Sequence, residues 1–299
     1  MSSEWPALPY EDWRATRDTL HMYTQVVGKL RLELCAFEPQ WGNVPLYVTV
    51  RGLTTTPIPF GDRSFDAELD LVDHVFVVRS SEGGITRRPL GGAVADFYQG
   101  MLDDLRSLGI ETAISVLPSE VPNPIAFPDD RVHHTYDPAW ANRFLRVLGR
   151  IDAIFKEHRA LFSGRTSLVH FFWGTFDLAL ARYSGKAASP GADPDVIRRY
   201  SANVEQIVAG WWPGDETHPF PAFYAYAYPK PRGIARASIA PSAAHWDAKA
   251  GEFFLPYADV RTATDPRGEI VEFLDSTYRA SAKLLGWSDE LAEIESPAR

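Results

Sequence analysis

The sequence predicts an α+β protein with an internal duplication of one α-β4-α unit, in which mainly antiparallel sheets are flanked by helices about a pseudo-twofold axis. Two observations lead to this prediction. Both halves of the chain show the order helix, four strands and helix, and the turns between consecutive strands are too short for parallel crossovers. The composition agrees, because 45% hydrophobic residues among 299 are enough to bury a large core.

The first unit, residues 1–117, opens with a helix over residues 11–27, where apolar side chains recur at spacings of three and four. Gly28 is expected to end this helix. The segments that follow have the alternation and β-branched content of strands, and they read KLRLELCAF, PLYVTVRGL, RSFDAELDLVD and HVFVVRSS. A helix that ends at Gly109 comes next, followed by a short strand, TAISVL.

Residues 118–136 are predicted to be a linker or crossing segment, because the stretch PSEVPNPIAFPDDRVHHTYDP holds five prolines. The second unit, residues 137–299, starts with a helix from Pro138 to Phe162. Its four predicted strands are LVHFFW, FDLALAR, AFYAYAY and GEFFLPY, and its closing helix is EIVEFLDSTYRASAKLLG. Residues 185–220 are expected to be an insertion in this second copy, and the whole chain is expected to form one globular body.

The charge and the cysteine content bound the function classes. A net charge of -9 argues against nucleic acid and anionic membrane surfaces as partners. The one cysteine, Cys35, cannot form an intrachain disulfide, which fits a reducing compartment. The first residues lack the pattern of a secretory signal, and no apolar stretch approaches the ~20 residues that span a bilayer. These features predict a cytoplasmic protein.

The segment LVHFFWGTFDLALARYSG supplies the candidate catalytic residues, His170 and Asp177. Both faces of the predicted strands are largely apolar, so His170 is expected to be desolvated and to need a partner. Such a histidine is either a general base or an ordinary core histidine that is held by a hydrogen bond. Asp177 is a candidate for orienting His170, provided that the two side chains share a face of the sheet.

Candidate substrate-binding residues come from several predicted strands and turns. Arg51 and Arg182 each end an apolar strand, and arginine suits the recognition of a carboxylate or phosphate. The alternative is that each arginine pairs with a structural carboxylate. Arg63 lies beside a glycine-punctuated turn, IPFGDRSFD, which either borders a cleft or is only a turn.

Aromatic side chains complete the candidate binding set. Tyr224 and Tyr226 share one face of the strand AFYAYAY beside small residues, which leaves room for a ligand and offers hydroxyl groups. Cross-strand aromatic packing is the alternative explanation. Trp173 is expected to line the same cleft. No dinucleotide, P-loop, nucleophile-elbow or histidine-pair zinc motif occurs, so the sequence identifies no cofactor and predicts no metal.

Several motifs taken together resemble a bacterial family of uncharacterised proteins, domain-of-unknown-function family 5996, over nearly the whole chain. The motifs are WPALPYEDW, TLHMYTQVVGK, VPLYVTVRGLTTTPIPFGDRSF, VHFFWGTFDLALARYSG, PAFYAYAYP and GEFFLPY. The resemblance implies one intact unit of bacterial origin. It transfers no activity, substrate or catalytic residue.

Two hypotheses about function follow. In the first, a cleft between the two units binds a small, anionic molecule, and His170 assists proton transfer. In the second, the chain is a non-catalytic interaction or structural protein, for instance a homo-oligomer, with a partner surface around WWPGDETHPF. An internal cavity with inward-facing tyrosines and arginines favours the first hypothesis. A filled core with exposed tryptophans favours the second.

Overall fold

Six helices and two antiparallel sheets form residues 5–288, the part of the chain that the computed structural model describes. The predicted α+β class is confirmed. The helices are α1 (Tyr10–Leu34), α2 (Val94–Ser107), α3 (Pro138–Ala160), α4 (Val196–Ser201), α5 (Tyr257–Thr262) and α6 (Pro266–Leu285). A short 3-10 turn (Pro39–Trp41) follows α1.

The first sheet lies entirely in the first half of the chain. Its strands are β1 (Tyr47–Val48), β2 (Gly52–Thr54), β3 (Ile58–Phe60), β4 (Arg63–Asp70), β5 (Val75–Ser80) and β6 (Ile85–Pro89). The spatial order is β1-β2-β4-β5-β6, with β3 paired to the other end of β4. Each strand pairs antiparallel with its neighbour, as the short connections predict.

The second sheet belongs to the second half and contains the candidate site. Its strands are β7 (Arg165–Thr166), β8 (His170–Phe172), β9 (Asp177–Ala187), β10 (Val204–Trp212), β11 (Ala222–Tyr228), β12 (His245–Asp247) and β13 (Glu252–Pro256). The spatial order is β12-β13-β11-β10-β9-β7, and β8 pairs with the start of β9. A single antiparallel bridge between Leu46 and Phe171 joins the two sheets.

The prediction that Gly28 ends the first helix is wrong, and so is the predicted strand KLRLELCAF, because α1 continues through Leu34. Gly28 is a packing residue instead. A Cβ atom at this position would lie 2.0 Å from the indole ring of Trp173, so only glycine lets that ring approach the helix. Burial in this segment does not alternate as it would in a strand, because the consecutive residues Lys29, Leu30 and Arg31 are all buried.

Other sequence predictions need correction as well. The segment TAISVL forms no strand, and PLYVTVRGL is divided by a turn into β1 and β2. Residues 185–220 are not a mere insertion, because β10 lies between β9 and β11 in the middle of the second sheet. Both halves keep a helix, a sheet and a closing helix, and the internal duplication stays a prediction.

The two faces of the second sheet carry different side chains. One face packs against α3 and α6 through large apolar residues, all fully or nearly fully buried: Leu178, Leu180, Trp211, Phe223 and Leu255. On the opposite face the central positions are small, namely Ala179, Ala181, Val208 and Gly210, which the strand registers bring side by side. This second face is therefore hollow.

Candidate functional site

A cavity of about 1110 Å³ lies over the hollow face of the second sheet. Its other walls are the N-terminal half of α1, the start of the proline-rich segment and α4, so both halves of the chain contribute lining residues. Of the sequence-predicted site residues, five line this cavity: His170, Trp173, Asp177, Tyr224 and Tyr226. The predicted site is thus partly assembled in space.

Four side chains form a row across the floor of the cavity, which we call the acid–tyrosine cluster: Asp177, Tyr224, Tyr226 and Glu252. The hydroxyl of Tyr224 donates a hydrogen bond to the Asp177 carboxylate. The rings of Tyr224 and Tyr226 are stacked, with centroids 6.3 Å apart and an interplanar angle of 11°. The pairing of β11 with β13 places Glu252 beside Tyr226 on the same face.

Gly210 makes the contact between Tyr224 and Asp177 geometrically feasible. These two residues lie on β11 and β9, with β10 between them. The ring of Tyr224 crosses β10 directly above Gly210, where a Cβ atom would lie 2.2 Å from the ring carbon Cζ. Only a glycine on the central strand therefore allows the tyrosine to reach the aspartate.

Burial perturbs the acidity of every member of the cluster. It raises the pKa of Asp177, although hydrogen bonds from Thr175 and Tyr224 oppose this effect. The pKa of Glu252 rises to about 7, mainly through burial and then through the nearby charge of Asp177. Burial and Asp177 also raise the pKa of Tyr224 well above its ordinary value, so both tyrosines keep their protons at neutral pH.

His170 faces the cavity from β8 and is only 7% exposed. The rings of Tyr47 and Phe172 contact it edge-on, with centroid distances of 5.7 and 5.4 Å. Burial, reinforced by the charges of Arg31 and Arg159, lowers the pKa of His170 to about 4. Within residues 5–288, no group forms a hydrogen bond to the imidazole ring.

The structure shows no hydrogen bond between Asp177 and His170, and the hypothesis that Asp177 orients His170 stays a prediction. The two side chains do share a face of the sheet, because His170 pairs with Ala179 and Phe172 pairs with Asp177. The register nevertheless places Phe172, rather than His170, opposite the aspartate. The Asp177 carboxylate accepts its hydrogen bonds from hydroxyl groups, those of Thr175 and Tyr224.

Trp173 anchors the second sheet to α1 at one wall of the cavity. Its indole Nε1 donates to the carbonyl oxygen of Val44 at 2.9 Å, and its own carbonyl oxygen lies 2.9 Å from Nε2 of His21. That nitrogen also lies 3.1 Å from the carbonyl oxygen of Gly174, so it carries the proton of a neutral imidazole. Burial lowers the pKa of His21 to about 3, which agrees with this neutral form.

The proline-rich segment forms a wall of the cavity. Gln25 on α1 fixes it with two hydrogen bonds: its Nε2 donates to the carbonyl oxygen of Ser119 at 2.8 Å, and its Oε1 accepts from the Ser119 amide at 2.9 Å. Glu120 follows with a positive φ of 58° and lines the cavity. Burial, together with the charge of Asp177, raises the pKa of Glu120.

The structure does not bring Arg51, Arg63 and Arg182 to this cavity. Arg51 lies in the turn between β1 and β2 and forms salt bridges with Asp70 and, at 2.6 Å, with Asp73. These are structural carboxylates, the alternative that the sequence left open.

The other two arginines hold structural positions too. Arg63 pairs with Glu82 at 2.7 Å and donates to the carbonyl oxygen of Gly109 beyond α2. Arg182 points to the packed face of the second sheet. There it donates to the carbonyl oxygen of His158 at 2.6 Å and lies 4.4 Å from the ring centroid of Tyr278.

Sequence reasoning missed Glu252 and Glu120 as site residues. The segment GEFFLPY was predicted as a strand, but only the pairing of β13 with β11 shows that Glu252 meets Tyr226. Glu120 lies in a segment without regular secondary structure, where no hydrophobic periodicity predicts the direction of a side chain. A signal was present for Glu252, since alternation places it on the same strand face as Phe254.

Within residues 5–288, no three His, Cys, Asp or Glu side chains are close enough together to hold a metal ion. In the same range, no helix combines the length and the apolar character that crossing a bilayer requires.

The fold and the site together define an α+β protein with an acidic, tyrosine-lined cavity on one face of a seven-stranded antiparallel sheet. Residues 5–294 match the model of one protein family, which is described as a family of unknown function, DUF5996. The chain belongs to this family, as its motifs suggested. No curated protein and no solved structure matches the sequence.

Proposed function

We propose that this protein binds a small organic molecule in the cavity above the second sheet. The observation that carries the proposal is the presence of desolvated polar groups that the protein leaves without partners at a hollow surface. His170 is 7% exposed and, within residues 5–288, has no hydrogen-bond partner. A largely buried polar side chain that has no protein partner and borders open space is a candidate for a hydrogen bond from a ligand.

Backbone strain supports the same site. Four of the seven non-glycine residues with positive φ in residues 5–288 line the cavity: Gln40, Trp41, Glu120 and Asn123. Strained residues of this kind concentrate at ligand-binding sites, where the surrounding structure holds them in place. The alternative of an interaction surface around WWPG has less support, because Trp211 is fully buried and Trp212 lines the cavity.

Native mass spectrometry of gently purified protein tests the proposal, with two matched variants. Ala181→Trp fills the cavity from β9, whereas Ala187→Trp places the same side chain at the exposed end of that strand, outside the lining. We expect wild type and Ala187→Trp to carry additional mass that Ala181→Trp lacks. Two results together would contradict the proposal. The wild type would show the mass of the polypeptide alone, and no compound of a small-molecule library would raise its melting temperature.

A second candidate function is proton transfer to or from the bound molecule. Glu252 favours it, because a carboxyl group with a pKa of about 7 serves as both acid and base near neutral pH. His170, with a pKa of about 4, is less suited to the proton transfer first assigned to it. Once a bound molecule is identified, Glu252→Gln is expected to bind it without converting it, whereas wild type converts it. Conversion by the variant at the wild-type rate would exclude this role.

A further inference from the structure

We propose that the ligand is an organic cation, a protonated amine on an apolar or aromatic body, whose ammonium group lies beside Asp177, on the side of the acid–tyrosine cluster that faces His170. This inference rests on the proposed function and specifies the chemical class of the ligand. It also replaces the anionic ligand that the sequence suggested, because the arginines that motivated that suggestion lie elsewhere.

The charges that line the cavity are strongly unbalanced. Among the described residues, the lining contains six Asp or Glu side chains but only one Arg or Lys. That one cation is Arg17, which already pairs with Asp18 at 2.8 Å. Within residues 5–288, no Arg or Lys forms a salt bridge with three further carboxylates of the lining: Asp177, which is buried, Glu252, which is partly buried, and Glu120, which is exposed. The lining of the cavity is therefore predominantly negative, although Lys230 acts on Glu252 from outside the lining.

This imbalance has an energetic consequence. The surrounding protein shifts each of these three carboxyl groups toward its neutral form, and Asp177 raises the pKa of both Glu120 and Glu252 through its own charge. Proteins normally pair buried charges, because an unpaired one is costly. A ligand ammonium at this position would remove the repulsion, whereas an anionic ligand would increase it.

His170 is an observation independent of the acidic cluster. It is more than nine-tenths buried, faces the same cavity and has no partner within residues 5–288. The pairing of β8 with β9 makes it a diagonal neighbour of Asp177 on one sheet face, roughly 7 Å away between Cβ atoms. That spacing leaves room for one ligand group between the imidazole and the carboxylate.

The hydrogen-bonding capacity of the site matches an ammonium group. A primary ammonium has three N–H donors and no acceptor. Beside Asp177 the site offers that carboxylate and the neutral imidazole of its diagonal neighbour His170 as acceptors, and each Asp177 oxygen keeps a lone pair after its hydroxyl partner is counted.

Aromatic rings surround the same space. Tyr224 and Tyr226 lie within the cluster, and Phe172, Trp212 and Phe254 line the adjoining surface. Aromatic faces attract cations and also contact the hydrocarbon body of an amine.

The test uses two series of molecules that share an apolar body and differ in the end group, which is an ammonium, a hydroxyl or a carboxylate: hexylamine, 1-hexanol and heptanoate, and tryptamine, tryptophol and indole-3-propionate. Ligand-observed NMR and calorimetry measure their binding to the full chain. We expect the amine of at least one series to bind at least about tenfold more tightly than its neutral and anionic counterparts, as charged hydrogen bonds require.

Two double variants locate the effect. Asp177→Asn with Glu252→Gln keeps the shape of the site and removes its charge, so the preference for the amine should disappear. Asp66→Asn with Glu68→Gln is the matched control, because both carboxylates pair with Arg79 in the first sheet and lie outside the lining. This control should keep the preference, and thermal melting establishes that both variants are folded.

Each result supports or overturns the inference. If the alcohols or the acids bind as tightly as the amines, or if the site variant keeps the preference, the inference fails while the proposed function stands. If no molecule of either series binds at millimolar concentration, the amine inference fails, and the native mass of the wild type decides the proposed function separately.

Discussion

The two faces of the second sheet are formed by the same strands but carry side chains of opposite kinds. On the packed face, Trp211 and Phe223 are fully buried, and Arg182 has a carbonyl partner and a ring beneath it. On the hollow face, Asp177 and Glu252 lie fully and partly buried, and among the described residues neither forms a salt bridge with an Arg or Lys. One face is thus filled by large apolar side chains, and the other retains carboxyl groups whose burial costs stability. Such costs are typical of functional sites.

The largest expected effect contrasts the two faces on one strand, β11. Phe223→Ala removes a fully buried ring that packs against Phe155 of α3, and we expect a loss of about 3 to 5 kcal/mol in the free energy of unfolding. Tyr226→Ala opens a surface that already borders a cavity, so its cost should be less than half as large. Denaturant titration measures both. Equal losses would mean that the cavity face is packed as a core.

Arg182→Met tests whether the sequence-predicted anion-binding arginine is structural. The change removes a cation from the ring of Tyr278 and a charged hydrogen bond from the carbonyl oxygen of His158. We expect a loss of about 2 to 3 kcal/mol in stability and unchanged ligand affinity. If the variant were as stable as wild type but bound the ligand less tightly, Arg182 would have to be part of the binding site.

Gly210→Ala sharpens the comparison from the hollow face. The new methyl group would overlap the ring of Tyr224 and displace its hydroxyl from Asp177. Because that ring can swing into open space, we expect a loss of only about 1 to 2 kcal/mol. The amine preference should fall more clearly than the stability. Calorimetry measures the amine preference and denaturant titration measures the stability of the same sample. An unchanged preference would mean that Tyr224 does not contribute to ligand binding.

The smallest effect has the opposite sign, because Glu252→Gln should stabilise the ligand-free protein. The pKa of Glu252 is raised from 4.5 to about 7, chiefly by burial and by Asp177, while Asp247 adds to the shift and Lys230 opposes it. Between these pH values the folded state binds more protons than the unfolded state, so stability falls as pH rises. A neutral glutamine lacks this slope.

We therefore expect Glu252→Gln to exceed wild type by about 1 kcal/mol above pH 7, with the difference vanishing near pH 4.5. Thermal melting as a function of pH measures it. A variant that is less stable than wild type at pH 8 would show that the Glu252 carboxylate is satisfied in a way that the described contacts do not include.

The sequence predicted local features better than relations between distant segments. Alternation in AFYAYAY placed Tyr224 and Tyr226 on one face, and the apolar context of His170 indicated its burial; both are as the structure has them. The partner of Asp177 could not be predicted, because it depends on β10 and on the absence of a side chain at Gly210. Arg182 was placed in the cleft for a similar reason, since alternation groups residues by face but does not reveal which face is packed.

Gly28 illustrates the same limit on a helix. A glycine near the end of a periodic segment usually stops a helix, and here that rule predicted an end that the structure lacks. The physical reason is the indole of Trp173, which comes from a segment 145 positions later in the chain and fills the space that a side chain at residue 28 would need.

This contact ties the evolution of the two halves together. A relative that carries a side chain at position 28 must carry something smaller than an indole at position 173, so the two positions are expected to covary. A chimera that joins the first half of such a relative to the second half of this protein would contain a steric clash between positions 28 and 173, even if each half packs without a clash in its own parent protein.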